Sequence, residues 1–299
     1  MRTLRIGTRA SKLALRQTTI VADAIRRAHP GISLEMREIK TEGDLTNAPL
    51  SEIGGLGVFT KAIEDALLSG DIDIAVHSLK DLPTDLASEL VLAAIPKRED
   101  ARDALVTREG LRLADLPSGA CIGTSASRRA VQLRELRDDV VPVEIRGNVD
   151  TRIRKVLEGE YDGAVLAIAG LARLGVDARA AQVFSVEEML PAVGQGALAV
   201  EVRIDDERTI AAVRTLDDAA TRAAVDAERA YLRRLGGGCR LPVGAHGWFD
   251  DGALRVAAMI GGEQMPIMRA DVRGDAKDAV SLGVQLAEML LEQGAAEFA

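Results

Sequence analysis

Three short stretches of this sequence carry side chains that could do chemistry. The first is Gly236-Gly237-Gly238-Cys239-Arg240. One glycine after a helix is a cap, but three in succession leave the thiol of Cys239 with little steric cover. Free cysteine is more often buried as a small hydrophobe. A helix C-terminus gives a thiol no acidity, because its dipole points the wrong way. Cys239 therefore reads as a permanent attachment point rather than a nucleophile that turns over; the plain alternative is a cap followed by an incidental cysteine. The second stretch is His77-Ser78-Leu79-Lys80-Asp81-Leu82-Pro83. There Asp81 could steady positive charge in a substrate, or form a solvated surface pair with Lys80. The third is basic. Gly123-Thr124-Ser125-Ala126-Ser127-Arg128-Arg129 opens a predicted helix, where amides and hydroxyls can hold anions. Arg146-Gly147-Asn148-Val149-Asp150-Thr151-Arg152 again joins a strand end to a helix start. Arginine forks match carboxylate and phosphate oxygens in two-point contacts. Any single arginine is read more simply as surface charge. Two such clusters, together with Arg9, predict a cleft for a ligand with many negative groups.

The elements that must position these groups follow from apolar spacing. Leu4 to Thr8 reads as a buried strand, and Ser11 caps a helix with Leu15, Val21 and Ile25 on its apolar face, ending before Pro30-Gly31. Ile32, Leu34 and Met36 alternate as a half-buried strand would. Phe59, Ile63, Ala66 and Leu67 form a helical stripe ending at Gly70, and Ile72 to Val76 is a strand leading into a loop from His77 to Pro83. This order predicts a parallel sheet with helices on both faces, whose carboxyl edge is where such sheets bind ligands. The pattern restarts after the charged segment Lys97 to Arg102. Cys121 to Thr124, Val141 to Ile145 and Ala164 to Ile168 read as strands, with a helix from Val149 to Leu157. Ala197 to Arg203 is read as a strand returning to the first domain. A long helix from about Asp217 to Leu235, a clear strand at Leu254 to Ile260 and a closing helix near Ala276 to Glu292 make a smaller α+β domain.

Composition excludes several function classes. The 299 residues carry a net charge of −8 and only 2% aromatics, so phosphate backbones are repelled and base-stacking platforms are scarce. Nucleic acid is not expected as a partner. No stretch without a charged side chain exceeds twelve residues, and one of that length, Met189 to Val200, is too short and too broken by Pro191, Gly194 and Gly196 to span a bilayer. The N-terminus shows no signal-like apolar stretch. Two cysteines make no disulfide framework, and a cytoplasmic setting is expected. His29, His77 and His246 lack metal-ligand spacing, so no metal is expected.

At these same residues the sequence resembles the porphobilinogen deaminase family. The resemblance runs from about Leu4 to the last helix. It is carried by Thr8-Arg9-Ala10-Ser11-Lys12-Leu13-Ala14, Val76 to Pro83, Gly123 to Arg129, Arg146-Gly147-Asn148, Ala169-Gly170-Leu171-Ala172-Arg173-Leu174, Leu190 to Ala197, and Ala227-Glu228-Arg229 through Cys239. It implies an α/β fold of two doubly wound lobes resembling periplasmic binding proteins around a cleft, plus a small α+β C-terminal domain. The corresponding division is 1–97 with 197–215, 102–192 and 218–299. It further implies a dipyrromethane primer on Cys239 through a thioether, and Asp81 as the catalytic carboxylate beside the pyrrole N–H groups. Porphobilinogen would be the substrate and a monomer the acting form. By the same resemblance Ser78, Lys80, Thr124, Ser125, Arg128, Arg129 and Arg146 hold the primer. Arg9, Ser11, Arg152, Arg173 and Gln195 match positions near the incoming ring. Leu56, Ala126 and Arg240 depart from the family's commoner residues, and Ala126 removes one hydroxyl contact to the primer. Two rival readings remain: a non-catalytic binding protein of the same two-lobed shape, and a cysteine transferase with His246 as its base.

Overall fold

The computed structural model describes residues 3–40, 60–236, 242–262 and 265–294. Two compact units divide the chain, Met1–Arg98 with Ala197–Arg222 and Glu99–Gly196 with Ala223–Ala299. The first contains β1 (Leu4–Thr8), β2 (Leu34–Glu38), β3 (Ile74–Ser78), β4 (Leu90–Ala94) and, from much later in the chain, β10 (Leu198–Arg203). They form one sheet in the order β2-β1-β3-β10-β4. Ser11 caps the helix Lys12–Ala28, its hydroxyl accepting from the Ala14 N–H at 3.2 Å. That helix buries Val21, Ala22 and Ile25 against Ile6, Ile74, Val76 and Val200. The helix Lys61–Leu68 packs Ile63 and Leu67 on Ile72 and Ala75; Phe59, expected in the same stripe, lies outside the described residues.

Three expectations need correction here. The sheet is mixed: β1 is parallel to β2 and β3, but β10 runs antiparallel to both its neighbours. Strand β2 is not half-buried, since Met36 is 44% exposed on the sheet's edge. His77 and Ser78 belong to β3, and a 3-10 turn at Leu79–Asp81 follows directly instead of a loop.

The second unit begins with β5 (Asp103–Thr107), followed by β6 (Cys121–Gly123), β7 (Val141–Val143), β8 (Gly163–Ala167) and β9 (Ala180–Val183). Their order is β7-β6-β8-β5-β9, with β6 parallel to β7 and β8, and β5 antiparallel to β8 and β9. Both five-stranded sheets thus follow one plan, in which the reversed strand is the first one formed after the chain enters or re-enters the unit. The helices Ser127–Leu136 and Val149–Leu157 each follow a parallel strand.

The same unit carries a meander of β11 (Val243–Asp250), β12 (Ala253–Gly262) and β13 (Met265–Gly274). Asp251 and Gly252, both at positive φ, make the two-residue turn between β11 and β12. Helices Ala219–Arg234 and Ala279–Glu292 contribute Tyr231, Leu286 and Leu290 to a core with Val256, Ala258 and Ile260. The Tyr231 hydroxyl donates to the Met259 carbonyl at 3.0 Å, so its burial leaves no polar atom stranded. The fold is mixed α/β, with two five-stranded sheets and a small three-stranded sheet backed by helices. Among the described residues no helix is long and apolar enough to cross a membrane.

The two helices of this last core touch through Gly283: a Cβ there would sit 2.1 Å from the Ala227 carbonyl oxygen. Backbone cannot swing aside as a side chain can. Gly283→Ala is expected to destabilise the chain by about 1–3 kcal/mol through overpacking, read as a lowered urea midpoint.

Candidate functional site

In the first unit the chemistry gathers where parallel strands end. Register sets Ile6 beside Ile74 and Gly7 beside Ala75, so the residues after Thr8 and those after Ser78 leave the sheet at one edge. Arg9 and Ser11 follow β1, while Lys80 and Asp81 occupy the turn after β3. That turn is anchored by the Leu79 N–H donating to the Ala197 carbonyl at 3.0 Å. Ser78 accepts from the Gln17 side-chain amide at 2.9 Å. One residue earlier, buried His77 shares a 3.1 Å hydrogen bond with buried Glu201 on β10. Asp81 is half-buried, and Ser11 serves as a cap, as its spacing implied.

In the second unit the basic residues also collect at a carboxyl edge. Strands β6 and β8 run parallel, so the segments after Gly123 and after Ala167 emerge together. Strand β5 runs the other way, which sets its first residue, Asp103, opposite the last of β8, Ala167. Asp103 is wholly buried. Its Oδ2 accepts from Arg128 at 2.7 Å, and its Oδ1 from Arg129 at 2.6 Å. Gln195, equally buried, donates to Asp103 Oδ1 at 2.8 Å and to the Ala101 carbonyl at 2.7 Å. Arg129 also donates to the Val165 carbonyl at 2.9 Å, and Arg128 to that of Leu190. Burial opposes the charge on Asp103, but the two guanidinium groups outweigh it and hold its pKa far below the usual carboxylate range. Burial likewise pushes Arg128 down, opposed by Asp103.

Around this triad stand the remaining predicted residues. Thr124 is buried, its hydroxyl accepting from the Ala126 N–H at 3.2 Å, and Ser125 donates to the Ile145 carbonyl. Ala126 is the N-cap of the helix Ser127–Leu136 and offers no side-chain cap. Arg146 pairs with Glu144 at 2.7 Å. Arg152 donates to the Gly147 carbonyl at 2.8 Å. Gly147 has φ +108°, and a Cβ there would lie 2.5 Å from Thr151, so the tight exit from β7 requires glycine. Burial, then Arg129 and Arg146, push the Arg152 guanidinium down to about 10. It stays charged at neutral pH. Arg173 donates to the Gly196 carbonyl at 2.6 Å, its pKa lowered by burial. A cluster of guanidinium groups, two of them rigidly braced, is suited to a ligand bearing several carboxylates. Among the described residues no group of His, Cys, Asp and Glu could hold a metal ion.

Comparison with known proteins decides the family. The model described as "Porphobilinogen deaminase, dipyromethane cofactor binding domain" matches residues 4–211, and "Porphobilinogen deaminase, C-terminal domain" matches 222–292. The chain belongs to the porphobilinogen deaminase family. A porphobilinogen deaminase of Roseiflexus sp. (strain RS-1) is 52% identical over 98% of this chain and 97% of its own length. One of Syntrophus aciditrophicus is 47% identical over 97% and 96%. Among solved structures, a Salmonella typhimurium periplasmic binding protein with high arginine specificity aligns over 74% of this chain and 94% of its own, at 16% identity and TM-score 0.41. The ligand-binding component of a Staphylococcus aureus ABC-type import system aligns over 77% and 73%, at 13% identity and TM-score 0.42.

Membership of the porphobilinogen deaminase family makes the chain a transferase that works with a dipyrromethane cofactor, and removes the reading as a non-catalytic binding protein. Cys239 and Leu56 lie outside the described residues, as does Arg240. His246, the base of the other rival reading, stacks on Trp248 with ring centroids 5.7 Å apart and has Glu228 at 3.8 Å. Two residues were missed by sequence reasoning. Asp103 was hidden behind the charged segment Lys97 to Arg102, although the apolar run Ala104-Leu105-Val106 after it signals a strand. Glu228, buried, accepts from the Gly194 N–H at 2.7 Å and the Gly247 N–H at 2.8 Å; within a helix it gave no signal beyond its place in the Ala227-Glu228-Arg229 motif.

The sign of the Asp103 effect can be tested. Its folded pKa lies below its unfolded value of about 3.9, so its contribution is complete above that value and is lost as pH falls through the folded pKa. Asp103→Asn is expected to lower stability by about 3–5 kcal/mol at pH 7. The gap to the parent should narrow below about pH 4, measured by urea unfolding across pH.

Proposed function

We propose that the chain joins four porphobilinogen molecules head to tail, with loss of ammonia at each step, on a dipyrromethane primer held by the sulfur of Cys239. Hydrolysis then frees hydroxymethylbilane and leaves the primer in place. The observation that carries this reading is the braced guanidinium cluster at the carboxyl edge of the second sheet. Each pyrrole ring of this substrate bears an acetate and a propionate, so every addition brings two more carboxylates. Arginine is the side chain whose fixed fork meets a carboxylate at two points. The donor set therefore fits the primer's chemistry.

In this reading Arg128, Arg129 and Arg146, with Thr124, Ser125, Ser78 and Lys80, hold the primer's carboxylates. When bound, the dipyrromethane would supply the free α-carbon to which the first ring is joined, each later ring joining the free α-carbon of the ring before it. Arg9, Ser11, Arg152, Arg173 and Gln195 serve the incoming ring. Asp81, in the turn that closes β3, sits against the pyrrole N–H groups and steadies the positive charge that spreads over the ring as ammonia departs. The turn that carries Asp81 follows a strand whose residues Ile74 to His77 are all buried, which supports a well-placed carboxylate. A preorganised charge of this kind acts without reorganisation at the moment of reaction. The enzyme would act as a cytoplasmic monomer, with neither nucleic acid nor membrane as partner; the net charge of −8 supports the first of these exclusions.

Intact-protein mass spectrometry of the purified chain is expected to find two pyrrole units above the sequence mass, together with colour from Ehrlich's reagent. A bare mass and no colour would sink the proposal. Asp81→Ala should keep the parent's urea midpoint and lose about 10²–10³-fold in turnover. Near-parental consumption of porphobilinogen by that variant would remove Asp81 from the mechanism.

A further inference from the structure

We propose that Asp103 is the positioning residue of the guanidinium cluster, fixing the directions in which Arg128 and Arg129 present their remaining donors to a ligand's carboxylates. The inference rests on the reading that these two arginines hold the primer. A guanidinium group offers five N–H donors and no acceptor. Arg129 reaches Asp103 Oδ1 through both Nε (3.1 Å) and Nη2 (2.6 Å) and gives Nη1 to the Val165 carbonyl, so all three nitrogens are tied. Arg128 is held at Nη1 by Asp103 Oδ2 and the Leu190 carbonyl. Arg129 is held at every nitrogen and Arg128 at one end by two acceptors, so both side chains are largely ordered before a ligand arrives. That saves the ordering cost which long side chains otherwise impose on binding.

The anchor has to be a carboxylate. Two buried guanidinium groups side by side repel, and neither can shed its proton at neutral pH. Removing the negative charge between them would drive at least one outward. Asparagine would offer one acceptor oxygen in place of two and aim an NH₂ at guanidinium donors. Gln195 shows the alternative role an amide can take here: it donates to Asp103 and to the Ala101 carbonyl, and so steadies the anchor from behind. The position also follows from topology. Only a strand reversed against β8 can bring its first residue to the edge where β8 ends, and β5 is that strand.

The test is primer loading and steady-state kinetics in Asp103→Asn, with Leu105→Ala as the control. Leu105 is a buried apolar neighbour on the same strand, outside the binding machinery. Both variants should lose stability, but only Asp103→Asn should lose primer loading and substrate affinity, by about 10- to 100-fold, as when a group that orients a ligand-binding side chain is removed. Equal losses in both variants, or full loading of Asp103→Asn, would overturn the proposal. If Asp103→Asn does not fold, Asp103→Glu keeps the charge but shifts it by one methylene. A loss of loading there at retained folding supports the proposal, and parental loading overturns it. A parent chain that itself lacks the two pyrrole units refutes the primer reading and this inference with it. A loaded parent beside an equally loaded Asp103→Asn refutes this inference alone.

Discussion

A carboxylate cannot be taken wholly out of water unless positive charge and hydrogen bonds replace its hydration. Asp103 meets that condition with two guanidinium groups and an amide, and much of the second unit is arranged around the solution. Arg128 and Arg129 come from the first turn of the helix Ser127–Leu136, so the ion triad sets where that helix begins on the sheet. One turn later Gln132 exchanges bonds with Leu190, donating to its carbonyl at 3.2 Å and accepting from its N–H at 2.8 Å. The segment that follows carries Gln195 back to Asp103 and hands the Gly194 N–H to Glu228. Glu228 also takes the Gly247 N–H of β11, so one polar network runs from the start of β5 in the five-stranded sheet to the three-stranded one. Removing any one partner strands a buried charge or dipole, and such networks are held as a whole or lost as a whole.

Legibility followed the physical strength of each signal. The helix Val149–Leu157 and the cap at Ser11 were readable because apolar spacing and a capping hydroxyl act within a few residues. The position of Asp81 at a strand's carboxyl end was readable for the same reason, as were the two arginine clusters. Strand direction was not. Nothing local distinguishes the reversed β10 from its parallel neighbours, because Leu198 to Val202 are all buried either way. Met36 misled because alternation says which residues share a face, and not whether anything covers it. Asp103 is the instructive omission. A carboxylate following several other charges reads as solvated surface, and only tertiary contacts from residues 25 and 26 positions later turn it into a buried anchor. Those same contacts change the meaning of Arg128 and Arg129, whose spacing announced an anion site without showing that one protein carboxylate already occupies part of their donors.

The insertion of β10 between β3 and β4 has a consequence for how the chain comes into being. The first unit holds its third and fourth strands apart with a strand that lies about a hundred residues further on, estimated from strand positions. While the ribosome is making the second unit, β3 and β4 have already emerged, yet the strand that hydrogen-bonds to both does not exist. The open side of β3 is apolar, and an unpaired apolar edge invites pairing with other chains. Synthesis must therefore deliver residues 99–196, the earlier part of the second unit, before the first sheet can close. The nascent protein spends that interval with its first sheet incomplete, dependent on dilution or chaperones to keep the gap unfilled.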